Sequence, residues 1–231
     1  LARLGDIYIN EAFSVSHRRH ASMVGVPQFL EAGIGFLFSE EVRALSRVRQ
    51  TEERPVVGLI GGSKVDKKLE AVPGLLQWAD KLLIGGVTGH ILKEARRGKE
   101  MEGQTARIME KIDLSSEKIV LPVDEVREQG KLGDIGRETA ALFIDKVKEA
   151  GTVFWAGPLG NTDLPRFEKG SAEVAEVLSR IDAYKVAGGG DTVSFLRRKG
   201  LDKGFNHLST GGSSMLLFLS TGSLPAFAPL Q

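Results

Sequence analysis

Two lysines set one helical turn apart stand out first in this sequence. Gly61-Gly62-Ser63-Lys64-Val65-Asp66-Lys67-Lys68 places Lys64 and Lys68 on one side of a helix start. Cations are disfavoured at a helix N-terminus, so two of them there ask for an anionic partner such as a phosphoryl group. A solvated, lysine-rich first turn is the plainer reading of the same residues. Gly188-Gly189-Gly190-Asp191-Thr192 offers a carboxylate and a hydroxyl at another helix start. Asp191 is there either an N-cap or a ligand for Mg²⁺, which takes oxygen donors and substrate phosphates. Ser209-Thr210-Gly211-Gly212-Ser213-Ser214 is either an ordinary cap for the apolar run at 215–219 or a further anion cradle. In His17-Arg18-Arg19-His20 the histidine spacing suits a metal, but two adjacent arginines would repel one, so an arginine-rich anion site is favoured. His90 and His207 have no partner in the pattern and read as core or surface residues.

These residues need elements to hold them. Four apolar runs end in glycine clusters: 56–60, 82–84, 152–156 and 184–187. Continuous apolar runs without alternation suit strands buried on both faces, as in a parallel sheet. Helical patterns follow at about 64–79, 88–97, 137–149, 170–181 and 191–199, and two further strands are expected at 118–121 and 206–209. The predicted fold is a doubly wound α/β domain from about residue 53, Rossmann-like and three-layered. Ligands of such sheets lie beyond the carboxyl ends of the strands, where all four glycine clusters fall. The first 52 residues predict a lone strand at Ile7-Tyr8-Ile9, a turn-rich loop, and a polar, exposed helix from Glu40 to Arg49. A lone strand needs a partner sheet, and none is visible in the sequence.

Composition narrows the function. The chain has 231 residues, no cysteine, 28 glycines, and 31 basic against 30 acidic side chains. A disulfide framework and thiolate metal sites are excluded. A net charge of +1 argues against nucleic acid or an anionic membrane surface as partner. No apolar run approaches the ~20 residues of a membrane span, and no signal peptide is visible, so a cytoplasmic setting is expected. The opening on Leu1, in mid-pattern, predicts a piece of a longer chain. G-x-G-x-x-G after a strand, the P-loop and the G-x-S-x-G elbow are all missing, which removes support for hydride transfer and for an α/β-hydrolase.

The order of motifs resembles the phosphoglycerate kinase family. GDIYINEAFSVSHRRHAS, GLIGGSKVDKK, LLIGG, LPVD, GDIG, VFWAGPLG, AGGGDT and HLSTGG follow one another in that family's order, from Gly5 to Gly212. The resemblance implies a two-domain hinge kinase using Mg²⁺ with ATP or ADP and 3-phosphoglycerate or 1,3-bisphosphoglycerate, acting as a monomer. It implies that residues 1–35 end the phosphoglycerate domain, 36–52 form the interdomain helix, 53–215 bind the nucleotide, and 216–231 return toward the first domain. By position, Arg18 resembles the arginine that grips phosphoglycerate, while Lys64 and Lys68 resemble the pair facing the phosphates. Gly136 is implied in the nucleotide pocket and Asp163 at the ribose. Gly189, Gly190, Asp191 and Thr192 are implied around phosphates and metal, and Gly211 and Gly212 at the migrating phosphoryl group.

The match has departures. Lys67 replaces an Asp, Val87 a Gly, Ala156 an Asn, Arg137 a Pro, Asp163 a Glu and Ser213 a Gly. Val87 would be strained if its position needs positive φ. Together they leave a second expectation open: a nucleotide-binding relative or fragment with little or no catalysis. A purely structural α/β module would leave the clustered Gly and Lys loops unexplained.

Overall fold

The computed structural model describes residues 1–230. The chain opens with β1 (Ile7–Asn10), β2 (Glu31–Ile34) and α1 (Phe36–Arg49). Next come β3 (Val56–Ile60), α2 (Val65–Leu76), β4 (Lys81–Ile84), α3 (Gly86–Arg96) and α4 (Gly103–Met109). β5 (Ile119–Val120), β6 (Glu125–Glu128), β7 (Lys131–Ile135) and α5 (Arg137–Lys148) follow. The chain continues through β8 (Thr152–Ala156), α6 (Lys169–Arg180), β9 (Tyr184–Gly188), α7 (Gly190–Arg198), β10 (His207–Ser209) and α8 (Gly212–Thr221).

Six of these strands form one parallel sheet in the order β10-β9-β8-β3-β4-β5. Alternate residues of each strand face opposite layers, and the three central strands β3, β8 and β9 are buried at every residue. Val56, Ile60, Leu82, Phe154 and Val186 pack on the side of α1, α2, α4 and α8. Val57, Leu59, Leu83, Val153 and Trp155 pack on the side of α5, α6 and α7. This is the expected three-layer, doubly wound fold. Chain order reverses between β3 and β8, and the loops after these two strands, in contact with each other, line a crevice at that switch point.

The amino-terminal reading needs correction. β1 is not alone: it pairs in parallel with β2, Ile7 opposite Glu31 through Asn10 opposite Ile34. Nor is the following helix exposed along its length. α1 begins at Phe36 and buries Phe38, Glu41, Ala44, Leu45 and Val48. Three further elements lie outside the expected set: α4, and the antiparallel hairpin β6–β7, turned by Gln129 and Gly130 at φ 50° and 78°. α8 runs unbroken through residues 215 and 216, and the segment after it returns to the front of the chain. There the Ala226 N–H reaches the Ser16 carbonyl and Phe227 packs on Phe38 and Phe218.

Candidate active site at the sheet's switch point

The crevice is a two-lobed cleft. Its first lobe, about 300 Å³, is lined by Arg18 from the amino-terminal segment, by Lys64, Lys67 and Lys68 of the β3–α2 turn, and by the start of α7 and α8. Asp191 is the single carboxylate in that lining, against four basic side chains. Such a balance suits a multiply charged anion.

Lys68 is the most constrained of these groups. Its Nζ donates to the Ala156 carbonyl at 2.8 Å, at the end of β8. Burial, then the neighbouring Lys64 ammonium, push its pKa down to about 8 against the pull of Asp191. No carboxylate lies within ion-pair distance of it among the described residues. A buried ammonium without a counterion is costly and marks a functional position. Because the tether is a backbone carbonyl, Ala156 supplies it without the side chain that the motif resemblance implies.

The glycines divide into two kinds. A Cβ on Gly61 would overlap the Pro158 carbonyl, and one on Gly157, at φ +94°, would overlap Gly61. These two glycines let the β3 and β8 loops touch. Gly190 differs: a Cβ there meets nothing within 4 Å and would project into the open lobe. Thr192 is fully buried, and its hydroxyl accepts the Gly157 N–H at 2.9 Å, locking the β8 loop to the start of α7.

The second lobe, about 310 Å³, shares Gly62, Ser63 and Asp191 with the first and extends past Val87 to Leu132, Gly133, Asn161 and Asp163. Val87 carries no strain, because Gln129 is the only non-glycine residue with positive φ among the described residues. Asp134 props this wall from behind: its carboxylate accepts the Gly170 and Ile135 N–H groups at 2.8 Å. Burial pushes its pKa up to about 6, against those two bonds. Folded Asp134 therefore holds its proton to higher pH than the unfolded chain does, and stability contributed there is lost as pH rises through about 6. Asp134→Asn should flatten urea-unfolding stability between pH 4 and 7 by about 1–2 kcal/mol.

Of the sequence-predicted residues, Arg18, Lys64, Lys68, Gly189, Gly190, Asp191, Thr192 and Gly212 line the first lobe and Asp163 the second. Gly211 and Gly136 line neither. Gly211 is packed against the Phe13 ring. Gly136 is the N-cap of α5, backed by the Asp124 carboxylate that accepts the Glu138 and Thr139 N–H groups. Leu132, Gly133 and Asn161 also line the second lobe: Gly133 opens the GDIG motif, Leu132 precedes it on β7, and Asn161 carries no signal in the sequence.

Both unassigned histidines have partners. His90 Nδ1 lies 2.9 Å from Glu125, tying α3 to the hairpin. His207 Nε2 lies 2.9 Å from Glu41 of α1, whose other oxygen accepts the Thr210 N–H at 2.6 Å and its hydroxyl at 2.7 Å. Burial raises the Glu41 pKa, but the bonds from His207, Ser209 and Thr210 override it and hold the carboxylate below its usual range. Glu41→Ala should cost about 1–3 kcal/mol in chemical unfolding, since it removes the acceptor shared by His207 and by the Thr210 N–H and hydroxyl, all part-buried.

Asp191 fits a Mg²⁺ site of the kind that takes one protein carboxylate and completes itself with phosphate oxygens and water. No group of three or more His, Cys, Asp or Glu side chains clusters for an all-protein site among the described residues. No helix there is long and apolar enough to cross a membrane.

Comparison with known proteins now decides the family. The model for "Phosphoglycerate kinase" matches residues 1–222. The chain belongs to the phosphoglycerate kinase family. It is 36% identical to the phosphoglycerate kinase of Thermus thermophilus, covering 100% of this chain and 66% of that protein. It is 34% identical to that of Leptospira biflexa, covering 97% and 64%. Among solved structures, phosphoglycerate kinase from Pyrococcus horikoshii superposes with a TM-score of 0.85 at 26% identity, over 100% of this chain and 65% of that one. The Coxiella burnetii enzyme gives 0.81 at 30% identity, over 100% and 67%. The chain thus spans just under two thirds of the length of the family members it matches in sequence.

Proposed function

We propose that this chain carries the nucleotide side of a reversible phosphoryl transfer between 1,3-bisphosphoglycerate and ADP, giving 3-phosphoglycerate and ATP, in the cytoplasm. The observation that carries the reading is Lys68, an ammonium buried at the sheet's switch point with no protein counterion and an anion-sized lobe before it. The nucleotide phosphates occupy the first lobe against Lys64, Lys68 and the Gly189–Thr192 turn, and the nucleoside occupies the second, with Asp163 at the ribose. Arg18 enters from the opposite wall and holds the phosphoglycerate. Asp191 would hold Mg²⁺, which would spread phosphate charge.

The reaction moves a phosphoryl group in line between two oxygens, through a transition state whose charge rests on three equatorial oxygens. The protein contributes position and fixed positive charge rather than a covalent intermediate. Lys68 is aimed by the Ala156 carbonyl, and Gly212 brings the first amides of α8 to the same lobe. Residues 1–35 belong to the phosphoglycerate side, 36–52 to the connecting helix, 53–215 to the nucleotide side, and 216–231 return toward the phosphoglycerate side. Closure of the two sides would exclude water. The protein acts as a monomer.

A coupled assay with Mg-ATP and 3-phosphoglycerate tests this on the protein that carries the chain. The expected result is turnover that Lys68→Ala removes. Nucleotide binding without turnover would leave a binding protein instead, the role that the substitutions at 67, 156, 163 and 213 keep open.

A further inference from the structure

Arg18 reaches the first lobe with a companion that charge alone does not require. The His17 ring joins segments 197 residues apart: its Nδ1 lies 2.9 Å from Ser214 Oγ in the first turn of α8. That hydroxyl donates its single proton onward to the Ser14 carbonyl at 2.9 Å. It can therefore only accept at His17, which places the ring proton on Nδ1. Nε2 is left as a bare acceptor, and Arg18 Nε donates to it at 3.3 Å. A carbonyl has no proton to give, so the direction of the whole chain is fixed from the Ser14 end. Burial first, then the charges of Arg18 on the same segment and Lys67 on α2, lower the ring's pKa from its ordinary value; the Ser14 carbonyl opposes them, His20 adds a smaller push, and α8 carries no charged side chain.

We propose that His17 and Ser214 are positioning residues that aim Arg18 into the cleft and tie that aim to the first turn of α8. The same turn brings Gly212 and Ser213 into the lobe. An anion that orders the α8 amides thus also settles Ser214, the His17 tautomer and Arg18. The inference rests on the phosphoryl-transfer reading for the identity of the ligand, but its geometry can be tested without one.

Two variants separate the ends of the relay. His17→Gln can present an amide oxygen near the place of Nε2, whereas His17→Asn can present only an amide N–H near the place of Nδ1. Ring ¹⁵N spectra of the labelled chain at pH 7 should show neutral His17 with the proton on Nδ1, and Ser214→Ala should lose that preference. The Arg18 Nε–H should exchange slowly in the wild type and in His17→Gln, and about tenfold faster in His17→Asn. Titration with 3-phosphoglycerate should show affinity kept within about threefold in His17→Gln and weakened about tenfold in His17→Asn, with equal melting temperatures. A wild-type ring protonated on Nε2, or equal Arg18 exchange in both variants, would overturn the relay. If 3-phosphoglycerate fails to bind the wild type while the spectra hold, the ligand assignment fails and the relay stands.

Discussion

Lys68→Met should reduce phosphoryl transfer by at least about 10²-fold and at the same time raise the melting temperature. The first effect follows from removing a fixed charge from the transferring group; single donors of this kind contribute about 10²–10³ in rate. The second follows from burial. Folded Lys68 releases its proton near pH 8, against 10.5 in an unfolded chain. Between those values the unfolded state holds more protons, so stability rises with pH across that window and the ammonium is a burden at neutral pH. Relief of that burden is on the order of 1–3 kcal/mol, less the bond to the Ala156 carbonyl. Steady-state assay and thermal unfolding of the one variant measure both. The same titration predicts nucleotide affinity that declines above about pH 8 in the wild type and is flat in Lys68→Met. A variant that loses both activity and stability would mean that Lys68 serves the fold.

Substitution of two glycines should separate fold from ligand. At Gly61 the added Cβ of alanine overlaps the Pro158 carbonyl, backbone that cannot give way without parting the β3 and β8 loops. Overpacking of this kind costs about 1–3 kcal/mol or more, and both lobes should open or deform with it. At Gly190 the backbone is that of an ordinary helix start, and an added Cβ meets nothing within 4 Å beyond its own helix. Gly190→Val should therefore leave the melting temperature within about 2 °C, while filling the space where a phosphate would rest. Affinity for ADP is expected to fall by at least about tenfold in Gly190→Val. A Gly190→Val protein that binds ADP normally would place the phosphates elsewhere.

Local signals carried the sequence reading furthest. The runs at 56–60 and 152–156 are legible because a strand buried on both faces is apolar at most residues rather than at alternate ones. Lys64 and Lys68 are legible because a helical turn fixes their spacing. What escaped depends on distant partners. Glu31-Ala-Gly-Ile has no strand signature of its own, and it becomes β2 only by pairing with β1. In α1 the run Phe36-Leu37-Phe38 hides the period on which Phe38, Leu45 and Val48 turn inward. Glu41 and His207 lie 166 residues apart, so only the packing of α1 on β10 reveals their bond. The same limit applies within the site. The motif resemblance points to Gly136, the N-cap of α5, while β7 brings Leu132 and Gly133 to the cleft.

The central claim is that the cleft at the β3–β8 switch point binds a nucleoside diphosphate through Lys64, Lys68 and the Gly189–Thr192 turn. Isothermal titration of this chain with Mg-ADP measures it most directly. The expected result is one saturable site with a Kd below about 1 mM (roughly −4 kcal/mol or better) that Lys68→Met weakens and Gly190→Val nearly removes. No heat up to about 10 mM Mg-ADP, or equal binding by all three proteins, would contradict it.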